Sequence, residues 1–222
     1  MIRLIGPVAG TRLGEWRWSK RTSFSSDYGW ETLNHPHRLF IADHIADLGF
    51  EFKTFLEVGC GVGPNLYLLA RRYPGVEFTG VDINPSAVEA GNERMRRDNI
   101  RNVRLSVCKA DALEYLPEYD IVLTDAALMY IGPDKIRQVV GEISRIARLA
   151  VVLCEWHTPE PVSLGRYERN WVRNYTSLLM ESLPDAEVKV FWLGEKGGFD
   201  DALWKKYGAI VVATPKGEYS PR

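Results

Sequence analysis

Phe55-Leu-Glu-Val-Gly-Cys-Gly-Val-Gly-Pro-Asn65 decides the fold. An apolar run breaks into three glycines at alternate positions, Gly59, Gly61 and Gly63, and Pro64 then opens an amphipathic stretch. A strand that enters a glycine loop and leaves as a helix lets a ligand lie directly against the backbone. A dinucleotide loop needs glycine at position 64, where proline stands, and no Gly-Lys-Ser/Thr follows to cradle a triphosphate. A tight structural turn is the alternative reading of these glycines.

Outward from this loop, short apolar runs alternate with helical patterns. The runs are Thr54–Val58, Val76–Asp82, Val103–Lys109, Tyr119–Asp125, Leu149–Glu155, Glu187–Leu193 and Gly208–Thr214. Asn65–Arg72, Ser86–Arg97 and Asp134–Ala147 carry helical spacing between them, and Pro36–Leu48, with Asn34 or His35 at its start, precedes the first. Such alternation builds an α/β fold with a mainly parallel sheet covered on both faces. Tyr119–Asp125 and Leu149–Cys154 are nearly continuous apolar runs and read as interior strands. Val103/Leu105/Val107 and Val188/Val190/Trp192 alternate with mostly polar neighbours and read as the sheet edges. The irregular stretch Gly194–Tyr207 suits an antiparallel return.

The 222 residues suffice for one sizeable domain, and 45% hydrophobic with 26% charged residues marks a globular rather than a disordered chain. Residues 1–33 read as an arm or lid, 34–214 as the domain, and 215–222 as a loose polar tail. Twenty-eight basic residues against 29 acidic ones give a net charge of −1, so nucleic acid is not the expected partner. No apolar run reaches the roughly 18–20 residues of a membrane helix, and the start lacks a signal-peptide pattern, so a cytoplasmic protein is expected. Cys60, Cys108 and Cys154 are widely spaced and read as reduced thiols; no metal site is expected. His37 and His44 in the first helical stretch read as solvent-facing.

Carboxylates mark successive strand ends. Phe78-Thr-Gly-Val-Asp82 lies about 20 residues past the glycines, where an acid can hold both ribose hydroxyls; capping the next helix is the rival role, open also to Asn84 and Ser86. Asp111 and Asp125 follow the third and fourth strands, and Glu57 ends the first. Their common acidity suits a cationic cofactor rather than a phosphate-rich one.

Leu56-Glu-Val-Gly-Cys-Gly-Val-Gly63, Gly80-Val-Asp82-Ile-Asn-Pro, Ala110-Asp111-Ala and Tyr119-Asp-Ile-Val-Leu-Thr-Asp125 resemble the sequential motifs of class I S-adenosylmethionine-dependent methyltransferases. The resemblance covers about residues 53–155. It implies a Rossmann-like three-layer sandwich whose seven-stranded sheet has the order 3-2-1-4-5-7-6, with the last-paired strand antiparallel. It also implies S-adenosylmethionine as cofactor. Glu57 and the glycine loop (Gly59, Cys60, Gly61, Gly63, with Asn65) would border its methionine part, and Asp82 with Ile83 its ribose. Asp111 and Ala112 would meet adenine, and Thr124 and Asp125 the methyl-transfer side. Asp120–Pro133 is also similar to the fourth-motif region of methylases associated with acidic-sugar biosynthesis, with Tyr130 where those often carry histidine.

Two further segments are candidates for the substrate. Arg12–Trp30 carries Trp16, Trp18, Tyr28 and Trp30 among basic residues and can stack on bases, close over a cleft, or pack on the domain; Trp30 is the substrate candidate there. If Gly165–Met180 is helical, Arg166, Arg169 and Arg173 share a stripe, as do Tyr167, Trp171 and Tyr175, and the arginines can read an anionic substrate. His157, just past the fifth strand, is the candidate base, with Tyr130 and Glu155 behind it. The expected activity is direct methyl displacement onto a small-molecule acceptor, anionic or sugar-like. The rivals are an RNA or protein methyltransferase and a cofactor-binding regulator without turnover. The oligomeric state is not legible.

Overall fold

The structure, a computed structural model, describes residues 12–21, 30–160, 166–167, 170–194, 196 and 198–216. Two helices, α1 (Arg12–Ser19) and α2 (Pro36–Asp47), precede the sheet. Strand β1 (Thr54–Val58), α3 (Pro64–Arg72), β2 (Glu77–Asp82), α4 (Pro85–Arg97) and β3 (Val103–Val107) form the first half. Strand β4 (Tyr119–Asp125), a single 3₁₀ turn at Leu128–Tyr130, α5 (Ile136–Ile146) and β5 (Ala147–Trp156) open the second. A short β6 (Arg166–Tyr167) pairs with β7 (Asn170–Trp171), and α6 (Tyr175–Ser182), β8 (Glu187–Trp192), α7 (Ala202–Tyr207) and β9 (Gly208–Thr214) complete the chain.

The seven-stranded sheet has the order β3-β2-β1-β4-β5-β9-β8, with β9 antiparallel to both neighbours and the other pairs parallel. This is the order expected from the sequence, once the small β6–β7 pair is set aside. Patterning explains the strand positions. Leu56, Val122, Val151 and Val211 are buried on one face and Phe55, Ile121, Val152 and Ile210 on the other. Strands with apolar side chains on both sides must lie inside a covered sheet. In β3 only Val103 and Leu105 are buried, and β8 has no buried residue, so both take the edges.

Helices α2, α3 and α4 cover one face through Ile41, Ile45, Leu66, Leu69 and Met95; α5 and α6 cover the other through Val139, Ile143, Tyr175 and Leu179. Phe55 and Phe78, with ring centroids 5.3 Å apart, are fully buried between the first group and the sheet. Each contributes about 2 kcal/mol through removal from water. At the opposite end from the glycine loop, the Asp120 carboxylate accepts the N–H groups of Lys53 (2.7 Å) and Thr54 (3.0 Å) and pairs with Arg148, tying together the starts of β1, β4 and β5. Among the described residues no helix is long and apolar enough to cross a membrane.

Among the described residues, the helix expected over Gly165–Met180 does not form. Arg166–Tyr167 pairs with Asn170–Trp171 as two short strands, and α6 starts only at Tyr175, where the Asn174 side chain accepts the N–H of Ser177. Arg173 is extended: its N–H donates to Trp156 O and its carbonyl accepts from Thr158 N–H. Its buried guanidinium donates to the carbonyls of Leu128 (2.9 Å) and Ile131. The arginine stripe is therefore absent. Arg166 lies in β6, Arg169 lies outside the described residues, and Arg173 braces the turn after β4.

Candidate active site

The chain leaves β1 toward β2 on one side and returns to β4 on the other, so the two connections diverge above the ends of β1 and β4. Such a reversal leaves a crevice at the carboxyl ends of the strands. Here it is a cavity of about 510 Å³, roofed by Glu15 and Trp18 of α1.

The glycine loop forms one wall. Gly59, Gly61 and Gly63 have φ of 78°, 56° and 81°, a region L side chains rarely adopt. A Cβ on Gly59 would also strike Ala127. Asp82 shapes the loop: its carboxylate accepts Gly61 N–H and Asn84 N–H, both at 2.8 Å. Burial raises its pKa above the ordinary value. The rival capping role belongs to Asn84, whose side chain accepts the N–H groups of Ser86 and Ala87 and donates to the carbonyls of Trp18 and Arg21. Gly63 caps α3 and lies behind the wall.

Glu57 is buried and lines the same cavity. Its Oε1 accepts from Asn65 Nδ2 at 2.7 Å, while Oε2 has no partner among the described residues. Burial pushes its pKa up to about 8, against the hydrogen bond from Asn65. An orphaned carboxylate oxygen beside a glycine loop fits an ammonium group, and the open glycine wall fits a chain lying along it.

Asp125 is a hub. One oxygen, Oδ2, contacts Asn65 Nδ2 (3.0 Å), Arg38 Nη1 (3.2 Å) and His37 Nε2 (3.2 Å). Burial opposes its ionisation, but the His37 and Arg38 contacts win and hold its carboxyl below the usual range. The His37 Nδ1 lies 2.6 Å from His35 Nδ1, and Phe199 lies against both imidazoles while stacking on Trp204 at 4.7 Å and 10°. On the adenine side implied by the resemblance, Asp111 pairs with Lys135 at 2.7 Å, and Lys135 also reaches Glu15 of α1. Burial opposes ionisation of Asp111; Lys135 overcomes it and lowers the pKa.

The expected site residues are thus partly assembled. Glu57, Gly59, Cys60, Gly61, Asn65, Asp82, Ile83, Asp111, Asp125 and Tyr130 line the cavity. Ala112 turns away behind Asp111, its N–H bonded to Lys109 O. Thr124 points into the protein and donates to Glu155 at 2.9 Å, because an interior strand buries alternate residues on the far face. The candidate base His157 is not at the cavity. It is buried between Tyr175 and Trp192, its Nδ1 accepts Tyr175 N–H, and burial lowers its pKa to about 4. Glu155 is also internal. Trp30 packs on Tyr67 under the Arg94 guanidinium rather than at the cavity. Tyr28 lies outside the described residues.

The sequence reading missed His35, His37, Arg38, Lys135, Phe199 and Trp204. His37 is buried, not solvent-facing, whereas His44 packs against Phe40 and Phe191. A signal existed: His37, Ile41 and Ile45 recur at i, i+4 and i+8, so His37 shares the apolar stripe that must face inward.

A reversed parallel sheet, a glycine loop and acids at its strand ends are the arrangement that the resemblance to class I S-adenosylmethionine-dependent methyltransferases implies. Residues 55–149 match the family described as a methyltransferase domain, and the fold and the matched proteins support S-adenosylmethionine as the cofactor. A malonyl-[acyl-carrier protein] O-methyltransferase from Anoxybacillus flavithermus is 29% identical over 93 residues, covering 42% of this chain and 34% of that protein. A tRNA (guanine-N(7)-)-methyltransferase from Colwellia psychrerythraea is 28% identical over 106 residues, covering 47% and 43%. The chain thus spans less than half the length of these curated relatives. The fold also resembles magnesium protoporphyrin IX methyltransferase from Synechocystis PCC 6803, solved with bound S-adenosylmethionine: TM-score 0.63, 13% identity, 94% of this chain and 93% of that one.

Proposed function

We propose that the chain is an S-adenosylmethionine-dependent methyltransferase acting by direct displacement on a small-molecule acceptor. The observation that carries this is the two-sided chemistry of one cavity. Glu57, Asp82 and Asp111 line one part, while His35, His37 and Phe199 line another. The first set suits a cationic ligand carrying ammonium, ribose and adenine groups. The cofactor supplies the sulfonium methyl. The protein would supply orientation: Glu57 Oε2 would hold the ammonium group, Asp82 the ribose hydroxyls and Asp111 the adenine amine, leaving Asp125 and the α2 residues to face the acceptor.

Tyr130 stays on the acceptor side in this reading, its ring tilted on Trp18 with centroids 5.0 Å apart. The parallel stack of Phe199 and Trp204 favours a flat or apolar acceptor body. A second reading, an anionic carboxylate acceptor, is favoured by Arg38 beside the cavity and by the malonyl substrate in one relative's name.

Calorimetry with S-adenosylhomocysteine tests the cofactor, and transfer of labelled methyl from S-adenosylmethionine to a library of small hydroxyl and carboxyl compounds tests the activity. Absence of binding, or preferential binding of a nicotinamide dinucleotide, overturns the reading. Binding with no transfer to any acceptor leaves a cofactor-binding regulator.

A further inference from the structure

We infer that Asp125, His37 and His35 form a proton relay in which His35 Nε2 takes the proton of a hydroxyl acceptor, so that the substrate class is a hydroxyl compound rather than a carboxylate. The inference rests on the methyltransferase reading above. Its basis is the geometry of three side chains that line one cavity: His37 Nε2 at 3.2 Å from Asp125 Oδ2, and His37 Nδ1 at 2.6 Å from His35 Nδ1.

Proton placement follows from donor and acceptor counting. The Asp125 oxygen already takes Asn65 and Arg38, both donors, and an ionised carboxylate only accepts. The contact with His37 therefore requires a proton on His37 Nε2. In a neutral ring this leaves His37 Nδ1 as an acceptor, and the proton between the two Nδ1 atoms then belongs to His35. His35 Nε2 is left with a lone pair. The competing arrangement places both protons on His37 and uses His35 Nδ1 to accept the His37 backbone N–H, a longer contact at 3.3 Å. It sets an imidazolium beside Arg38, which contacts the same carboxylate oxygen, so the neutral pair is the better arrangement.

The charged surroundings of His35 come from several elements. Burial opposes a cation there most strongly, a proton on His37 and the Arg38 guanidinium of α2 would add to that opposition, and Asp125 of β4 and Asp200 ahead of α7 favour one. His35 is thus neutral at rest, as a base must be. Phe199 lies 5.1 Å from both imidazole centroids and fixes the two rings.

The step balances. The acceptor oxygen forms a bond to the methyl carbon while the sulfur–methyl bond breaks and leaves its electron pair on sulfur. The hydroxyl proton passes to His35 Nε2, and the Nδ1 proton of His35 moves to His37 Nδ1, which places the new cation beside Asp125. A carboxylate acceptor is already ionised at neutral pH and would give this relay nothing to do.

Long-range ¹H–¹⁵N NMR of histidine-labelled protein with S-adenosylhomocysteine tests the relay without an acceptor. The chain has 4 histidines, so His35→Gln and His37→Gln assign the rings. At pH 7 the relay requires an unprotonated His35 Nε2, a protonated His35 Nδ1 and a protonated His37 Nε2. A protonated His35 Nε2 with a bare Nδ1, or a His37 cation at pH 7, overturns it. Calorimetry on the same sample separates the two failures: absent S-adenosylhomocysteine binding sinks the methyltransferase reading, while the tautomers alone decide the relay.

Discussion

The carboxylate of Glu155, at the end of β5, accepts the backbone N–H of Leu128 at 2.9 Å. It also accepts Ala127 N–H (2.9 Å), Met129 N–H (3.1 Å) and the Thr124 hydroxyl (2.9 Å). Three consecutive N–H groups of the turn after β4 therefore find their partner on the neighbouring strand. That turn carries Tyr130 to the cavity, so an acid that never touches the site sets one of its walls.

Glu155→Ala leaves these donors buried and unpaired and should cost about 3–5 kcal/mol of stability. Urea unfolding with an unchanged slope measures it. A loss under about 1 kcal/mol would mean that water replaces the carboxylate.

Arg173 braces the same turn from the other side through the carbonyls of Leu128 and Ile131. Arg173→Lys keeps the charge but loses the two-pronged donor, and should lower stability by about 1–3 kcal/mol. Binding of S-adenosylhomocysteine should change less than about threefold when read below the melting transition. Intact stability with greatly weakened substrate use would restore a recognition role.

Strand order was legible because burial on two faces leaves a mark in every residue of a strand, as in Leu149–Cys154 against the alternation of Val103–Val107. The glycine loop was legible because the positive φ of Gly59, Gly61 and Gly63 strongly favours glycine there. The opposite side of the cavity was not. His35, His37 and Arg38 sit together at the start of α2, but Asp125 and Phe199 lie far away in sequence, and only tertiary packing brings these segments together. His157 misled for the complementary reason: a histidine past the end of an interior strand can turn inward, and this one is held by the Tyr175 N–H.

Asp82→Ala should weaken S-adenosylhomocysteine binding about 10–100-fold, through loss of charge-assisted hydrogen bonds worth about 1.5–3 kcal/mol. Part of that arises because Asp82 also holds Gly61 N–H and Asn84 N–H. Asp82→Asn should fall between, and calorimetry ranks the three proteins. Equal affinity across them would remove Asp82 from the site.

His157 makes stability depend on pH. Its folded pKa of about 4 lies below the ordinary 6.5, so the unfolded chain binds the proton first. Stability is therefore lost as pH falls from 6.5 toward 4, by up to about 3 kcal/mol. Glu57 and Glu155, raised to about 8 and about 7, act in the opposite sense, losing stability as pH rises above the ordinary glutamate range. The difference between wild type and His157→Gln, followed by urea unfolding from pH 7 to 4, isolates the histidine. A constant difference across that range would refute the assignment.

Lys135 links Asp111 in the cavity wall to the α1 roof, because its ammonium pairs with Asp111 at 2.7 Å and also with Glu15. Breaking the Glu15 arm should loosen α1 without altering Asp111. These side chains are about a quarter exposed, so the pair is worth only about 0.5–1 kcal/mol. If the roof must lift for ligand exit, Glu15→Gln should speed S-adenosylhomocysteine dissociation about two- to fivefold and flatten its salt dependence. Lys135→Gln removes both pairs. It should give the same faster exit together with a changed affinity, because Asp111 then loses its compensating cation. Trp18, whose ring lies 5.0 Å from Tyr130, is an intrinsic reporter for stopped-flow fluorescence. Unchanged dissociation rates in Glu15→Gln across 0.05–0.5 M salt would show that α1 is fixed on the domain and that the ligand leaves by another path.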